Sequence, residues 1–111
     1  MLEKELLTEV MRLCERYHQA AYHTSDSRKV MGPGIGFPDL VIAGKDVIFA
    51  ELKSPGGSMS WKQTEWKYRL RAAKANCYLW RPSDLASGEI ERILAENELL
   101  LYGSGPMTIK T

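Results

Sequence analysis

Phe37-Pro38-Asp39-Leu40-Val41-Ile42-Ala43, the link Gly44-Lys45-Asp46, and Val47-Ile48-Phe49-Ala50-Glu51-Leu52-Lys53 decide the fold of this chain. Both runs are short, rich in β-branched or aromatic residues, and bounded by Gly or Pro, the pattern of buried strands. The three-residue link makes them a hairpin. Pairing Ala43 with Val47 across that link sets Asp39 opposite Glu51, and a register one residue different still leaves them adjacent. Lys53 lies two residues beyond Glu51 and so points to the same face of its strand. Two carboxylates and an ammonium therefore converge on one patch of an otherwise apolar sheet.

Burying one unpaired carboxylate is costly, and burying two together is costlier unless positive charge compensates. A divalent cation does so, because Mg²⁺ is commonly held by one or two carboxylates together with water and phosphate oxygens. The plainer alternative is a structural acid–Lys cluster at the rim of the sheet.

Pro38-Asp39, a gap of eleven residues, then Glu51-Leu52-Lys53 resembles the PD-(D/E)xK nuclease signature. Three segments, Gly36-Phe37-Pro38-Asp39-Leu40, Glu51-Leu52-Lys53-Ser54 and Ser60-x-x-Gln63-x-x-Trp66, are similar to the VRR-NUC branch in its small stand-alone, phage-type form. Tyr22-His23-Thr24-x-x-Ser27 before them and Trp80-Arg81-Pro82-x-Asp84 after them extend the resemblance to about residues 3–94. It implies one VRR-NUC nuclease domain over 1–111. The implied fold is α/β, a small mixed sheet flanked by helices with the restriction-endonuclease-like order α-β-β-β-α-β.

Size and composition agree with a single globular domain. The chain has 111 residues, 44% hydrophobic and 26% charged, enough for a modest core and unlike disordered or fibrous sequences. No apolar run approaches the roughly 20 residues that span a bilayer. The first residues read as a charged amphipathic helix without a signal-peptide core, so a cytoplasmic protein is expected, in a bacterial or phage-infected cell if the resemblance holds. Cys14 and Cys77, with no CxxC and no neighbouring His pair, give no zinc site and are expected buried and reduced. A net charge of +1 excludes a strongly basic, non-specific nucleic-acid coat, so any DNA contact must be local. Ser27, Arg28 and Lys29 form one candidate patch. Lys62, with Lys67, Arg69, Arg71 and Lys74 on the same helix, forms another.

Residues 2–18 read as a helix with Leu6, Val10, Leu13 and Tyr17 on one arc, flanked by Leu2, Leu7 and Cys14. Glu5, Glu9, Arg12 and Arg16 line its solvated side. Glu3 falls within the apolar arc, and of the helix acids it best fits the active-site glutamate that related nucleases carry there. Ala20–Thr24 is a candidate first strand, and residues 25–36 are a loop long enough to contact a DNA backbone. His23 reads equally as a DNA contact or as a partly buried, satisfied side chain. Gly34-x-Gly36 is no P-loop, since no Gly-Lys-Ser/Thr follows. Ser58 or Ser60 can cap a helix over roughly 60–74, on which Gln63, Trp66 and Leu70 share a face, Trp66 and Leu70 packing on the sheet. Trp61 is expected to be a packing residue, with base stacking as the alternative. Asn76–Trp80 reads as a strand parallel to its neighbour after a helical crossover. A short helix capped by Ser83, a last helix carrying Ile90, Ile93 and Leu94, and a tail over 99–111 (an edge strand, a loose arm or a dimer contact) complete the chain.

By the resemblance, Asp39 and Glu51, with the carbonyl of Leu52, hold Mg²⁺ or Mn²⁺. Lys53 positions the attacking water and stabilises the transition state, while Gln63 and Glu3 complete the catalytic set. The implied activity is metal-dependent hydrolysis of DNA, structure-selective on branched substrates such as Holliday junctions and carried out by a homodimer. A non-specific or nicking nuclease is the alternative, and a catalytically silent DNA-binding module is the alternative of another class. RNA, and a helicase or replication partner, stay open.

Overall fold

The computed structural model describes residues 1–24 and 32–100. The elements run α1 (Glu3–Arg16), β1 (Ala20–His23), a 3₁₀ turn (Gly32–Gly34), β2 (Leu40–Ala43), β3 (Val47–Leu52), α2 (Trp61–Ala72), β4 (Asn76–Trp80), α3 (Pro82–Ala86) and α4 (Glu89–Glu96). Through β4 this is the expected α-β-β-β-α-β order, and the sheet is mixed. Its strand order is β1-β2-β3-β4, antiparallel except for the last pair. The hairpin register is the anticipated one, Ala43 opposite Val47 and Leu40 opposite Ala50. The β3–α2–β4 crossover makes β4 parallel to β3, as a helical connection requires.

Alternation along the strands divides the sheet into two faces. Leu40, Ile42, Ile48, Ala50, Leu52 and Trp80 point to one side and pack with Leu6, Val10 and Cys14 of α1 and Ile90, Ile93 and Leu94 of α4. Each such large apolar side chain contributes about 1.5–3 kcal/mol on full burial. Phe49, in between, points to the other side. There Phe37 meets it edge-on at 5.8 Å and meets Trp66 of α2 edge-on at 4.9 Å. Glu51 has the same parity as Phe49, so it belongs to the α2 face.

Several boundaries differ from expectation. Helix α1 is shorter than 2–18 because Leu2 occupies its cap position, 67% exposed, and its N–H donates to Glu5 Oε1 at 3.1 Å. Cys14 is the fully buried partner of Leu6 and Val10, while Leu13 and Tyr17 pack at the core margin. Tyr17, at the C-cap of the helix, donates its hydroxyl to Glu91 at 2.6 Å. Helix α3 is capped at Arg81, not Ser83: Pro82 opens the helix and Asp84 Oδ2 accepts the Arg81 N–H at 2.8 Å. His23 is exposed, so the partly buried alternative fails. Both cysteines are buried and free. Of the tail, Leu99 and Leu100 are exposed and belong to no strand, and residues 101–111 lie outside the described residues. Among the described residues, no helix is long and apolar enough to cross a membrane.

Two details position the site. Gly36 has φ +88°, and a Cβ placed on it would lie 2.6 Å from the Lys62 carbonyl carbon and 2.8 Å from the Gln63 nitrogen. Only glycine lets the chain entering Phe37-Pro38-Asp39 run this close to the first turn of α2. At the opposite end of the hairpin, Asn97 accepts the Asp46 N–H at 2.9 Å and donates to Gln19 Oε1 at 2.8 Å. Gln19 in turn donates to the Leu94 carbonyl at 2.7 Å. This buried polar staple ties the turn to the ends of α1 and α4.

Candidate metal and catalytic site

At its C-terminal end β3 outruns β2, which begins only at Leu40. The Leu52 N–H would be left without a ladder partner, and Asp39 Oδ2 accepts it at 2.8 Å. The Asp39 backbone is held from the other side. Its carbonyl accepts the Thr24 N–H at 2.8 Å and the Thr24 hydroxyl at 3.2 Å, and that hydroxyl also donates to the Pro38 carbonyl at 2.9 Å. Asp39 is thus fixed by the strands on either side of it.

Glu51 is 3% exposed. The Gln63 amide donates to its Oε1 at 3.3 Å, and Glu3, in the first turn of α1, approaches from the helix end. Carboxylate oxygens of Glu3, Asp39 and Glu51 all lie within 4.8 Å of one another. Burial pushes the Glu51 carboxyl up to about 9 from its ordinary 4.5, reinforced by the hydrogen bond to Asp39 and by the charges of Asp39 and Glu3; Lys53 opposes the shift. Without a cation, burial and the neighbouring acids favour the protonated form of Glu51. Three hard oxygen donors, one of them too buried to ionise by itself, form a donor set that suits a divalent cation.

Lys53 is half-buried and continues the parallel ladder, its N–H donating to the Trp80 carbonyl at 3.0 Å. Its ammonium is near enough to act on Glu51. Gln63 is held by a reciprocal cap: Ser60 Oγ accepts the Gln63 N–H at 3.2 Å, and Gln63 Oε1 accepts the Ser60 N–H at 2.8 Å. With its oxygen fixed in this way, the amide nitrogen is turned toward Glu51.

No family model matches the chain, and no curated protein matches it. Among solved structures it is similar to Hjc, a Holliday junction resolvase from Archaeoglobus fulgidus, an archaeal hyperthermophile. Identity is 23% over 72% of this chain, with a TM-score of 0.46. The chain spans about 65% of the length of that protein.

The fold brings Glu3, Asp39, Glu51, Lys53 and Gln63 together, and the backbone of Leu52 joins them through its bond to Asp39. Ser27, Arg28 and Lys29 lie outside the described residues. Lys62 does not reach the carboxylates; its Nζ sits 4.2 Å from the centroid of the Trp61 ring. Elsewhere on α2, Arg69 is engaged with Glu65 at 3.3 Å and Arg71 with the Cys77 carbonyl at 2.9 Å. Trp61 is 69% exposed, which corrects its expected role in packing: Trp66, five positions on, takes the place against Phe37 and donates to the Pro33 carbonyl at 3.2 Å.

Two supporting residues, Thr24 and Arg81, had no role assigned from sequence, and Ser60 had only that of a candidate helix cap. Thr24 holds the Asp39 backbone. Arg81 Nη1 donates to the carbonyls of Ser54 and Gly57 at 2.8 and 2.6 Å, clamping the turn between Lys53 and α2. Ser60 fixes Gln63, and here a signal existed, since Ser-x-x-Gln ahead of a helix is a capping box.

Proposed function

We propose that the chain is a metal-dependent nuclease that hydrolyses phosphodiester bonds in DNA, and that it acts on branched DNA. The observation that carries this reading is the meeting of three carboxylates, one deeply buried, with Gln63 and Lys53 at the C-terminal end of β3. A structural salt-bridge cluster is the weaker account. Among the described residues no Lys or Arg lies within ion-pair distance of Asp39 or Glu51, so no ion pair among them neutralises both.

Asp39, Glu51 and Glu3 would hold Mg²⁺ or Mn²⁺, and the Leu52 carbonyl is a further oxygen donor on the same stretch of backbone. The cation supplies a lowered water pKa and neutralises charge on the scissile phosphate. Asp39, anchored through Leu52 and Thr24, keeps its remaining oxygen lone pairs in one place. Glu51 would bind the cation as the carboxylate, its proton passing to solvent. Lys53 places an ammonium beside the reacting phosphate, where it stabilises the charge that builds in the transition state. Gln63, locked by Ser60, orients a water or a phosphate oxygen with its amide. The preference for branched DNA, and a homodimer that cuts two strands symmetrically, are supported by the VRR-NUC resemblance; two sites about a two-fold axis suit a four-way junction.

The test is cleavage of a labelled four-way junction, a fork, linear duplex and single strand in Mg²⁺ or Mn²⁺. EDTA, Asp39→Ala and Lys53→Met serve as controls. Paired nicks confined to the junction, lost with EDTA and in Asp39→Ala, are expected, with Lys53→Met lowering the rate about 100- to 1,000-fold. Equal cutting of every duplex replaces the branched-DNA assignment with a general nuclease. Binding without cleavage, unchanged in Asp39→Ala, replaces the enzyme with a silent DNA-binding module.

A further inference from the structure

Resting on the nuclease reading, we infer that Arg81 is a positioning residue for Lys53. Its guanidinium fixes the turn over 54–57, and that turn holds the lysine stem so that the ammonium stays beside the carboxylates. Arg81 acts through the lysine and not on the substrate.

Asp39 and Gln63 are held in place by hydrogen bonds, whereas the Lys53 ammonium has no ion-pair partner among the described residues. A free lysine side chain carries about 2 kcal/mol of rotamer entropy, so its place must come from what packs on its stem. The segment that follows it cannot supply that packing unaided. Residues 53–60 form neither helix nor strand and include Gly56 and Gly57, the residue type with most backbone freedom.

Arg81 supplies the missing constraint. Leu52 pairs with Trp80 in the parallel ladder, and the Lys53 N–H continues it to the Trp80 carbonyl. Arg81 is still extended, at φ −121° and ψ 165°, so its side chain leaves the sheet on the face that Glu51 and Lys53 share. There Nη1 donates to the carbonyls of Ser54 at 2.8 Å, Gly57 at 2.6 Å and Pro55 at 3.4 Å. The Gly57 N–H closes the same turn on the Ser54 carbonyl at 3.0 Å. Bonds from a charged donor are roughly twice as strong as neutral ones, so this one nitrogen gathers the turn firmly. The closed turn folds back beside Lys53: a Cβ placed on Gly57 would lie 3.5 Å from Lys53 Cδ. The clamp is itself anchored, since Asp84 Oδ2 accepts the Arg81 N–H at 2.8 Å where Pro82 opens α3.

The experiment is a double-mutant cycle on the full chain, read as single-turnover cleavage of a labelled four-way junction and a linear duplex in Mg²⁺. The proteins are the wild type, Arg81→Met, Lys53→Met, the two combined, and Arg81→Lys. Arg81→Met keeps the stem and removes the donors, and is expected to slow cleavage roughly 10- to 100-fold, the scale of a small misplacement of a reacting group. In the Lys53→Met background the same change should alter the rate by no more than about twofold, because the group it positions is gone. Arg81→Lys, whose ammonium still has donors for the carbonyls, should recover part of the loss. Asn97→Ala, which weakens the far end of the hairpin, should cleave at the wild-type rate and so separates positioning from lost stability. A second readout needs no cleavage. In EDTA, NMR of the Lys53 ε-methylene should show two inequivalent protons in the wild type and one averaged signal in Arg81→Met. An unchanged rate in Arg81→Met overturns the inference. So does a further loss in the Lys53→Met background, which assigns Arg81 to the DNA or to general folding. Lys53 signals indifferent to Arg81 overturn the inference and leave the nuclease reading standing wherever the wild type cleaves. Arg81-dependent Lys53 signals in a wild type that cleaves neither DNA overturn the nuclease reading alone.

Discussion

Glu51 is the residue on which the proposed chemistry turns, because it is a buried acid with two other carboxylates for neighbours and an amide as its direct donor. In the folded protein it keeps its proton far above the ordinary value of 4.5, while in the unfolded chain it does not. The native state thus binds the extra proton, and the metal-free protein should lose stability as pH rises from about 4.5 toward 9, by at most roughly 1.4 kcal/mol per pH unit from this one group. Thermal denaturation in EDTA across that range should show the decline, and Glu51→Gln should flatten it. Adding Mg²⁺ or Mn²⁺ at pH 8 should raise the wild-type melting temperature and leave Glu51→Gln nearly unmoved. A pH-independent melting temperature in the wild type would mean that Glu51 is not held neutral. Asp39 differs from Glu51 in having its orientation set by two strands, and that fixity is what a metal ligand needs.

At the scale of elements, the site is assembled where the start of α2, the end of β3 and the segment leading into β2 approach one another. Two small residues control that approach. Gly36→Ala adds left-handed backbone strain of about 1–2 kcal/mol and drives a methyl into the backbone of Lys62 and Gln63. Stability should fall by at least that amount, and cleavage per folded molecule should fall as well, since Gln63 is displaced from Glu51. Denaturant titration together with single-turnover rates would check both effects. Ser60→Ala removes the cap of α2 at a cost of about 0.5–2 kcal/mol and frees Gln63 from its reciprocal bond. Its rate should fall more than its stability does, while a rate equal to wild type would show that Gln63 acts without the cap. The ends of α1 and α2 follow the same economy of local means. His18 and Lys74 adopt positive φ of 57° and 70° to close them, where glycine is the more common terminator.

For the molecule as a whole, the candidate site and a polar staple lie at opposite ends of the β2–β3 hairpin. The carboxylates lie at one end, and the Gln19–Asn97 staple holds the Gly44-Lys45-Asp46 turn at the other. Asn97→Ala leaves Gln19 Oε1 unpaired in a buried setting and the Asp46 N–H unpaired in a partly buried one, and should cost about 1–3 kcal/mol. Cleavage by the remaining folded protein should be unchanged, as thermal melting and activity assays on the same preparation can show. The hairpin, its register, the parallel β4 and the meeting of Asp39 with Glu51 were legible in the sequence. Strand periodicity and a three-residue link restrict pairing to a narrow choice, and a one-residue slip would turn every core side chain outward. Glu3 was legible for a similar reason, its helical phase relative to Leu6 and Val10. Tertiary structure alone decided that Trp61 is exposed, that Arg81 clamps the turn after Lys53, and that Gln19 and Asn97 pair in the interior. Each depends on which surface another element happens to cover and where its backbone groups point. Local periodicity carries no record of contacts between residues some 25 to 80 positions apart.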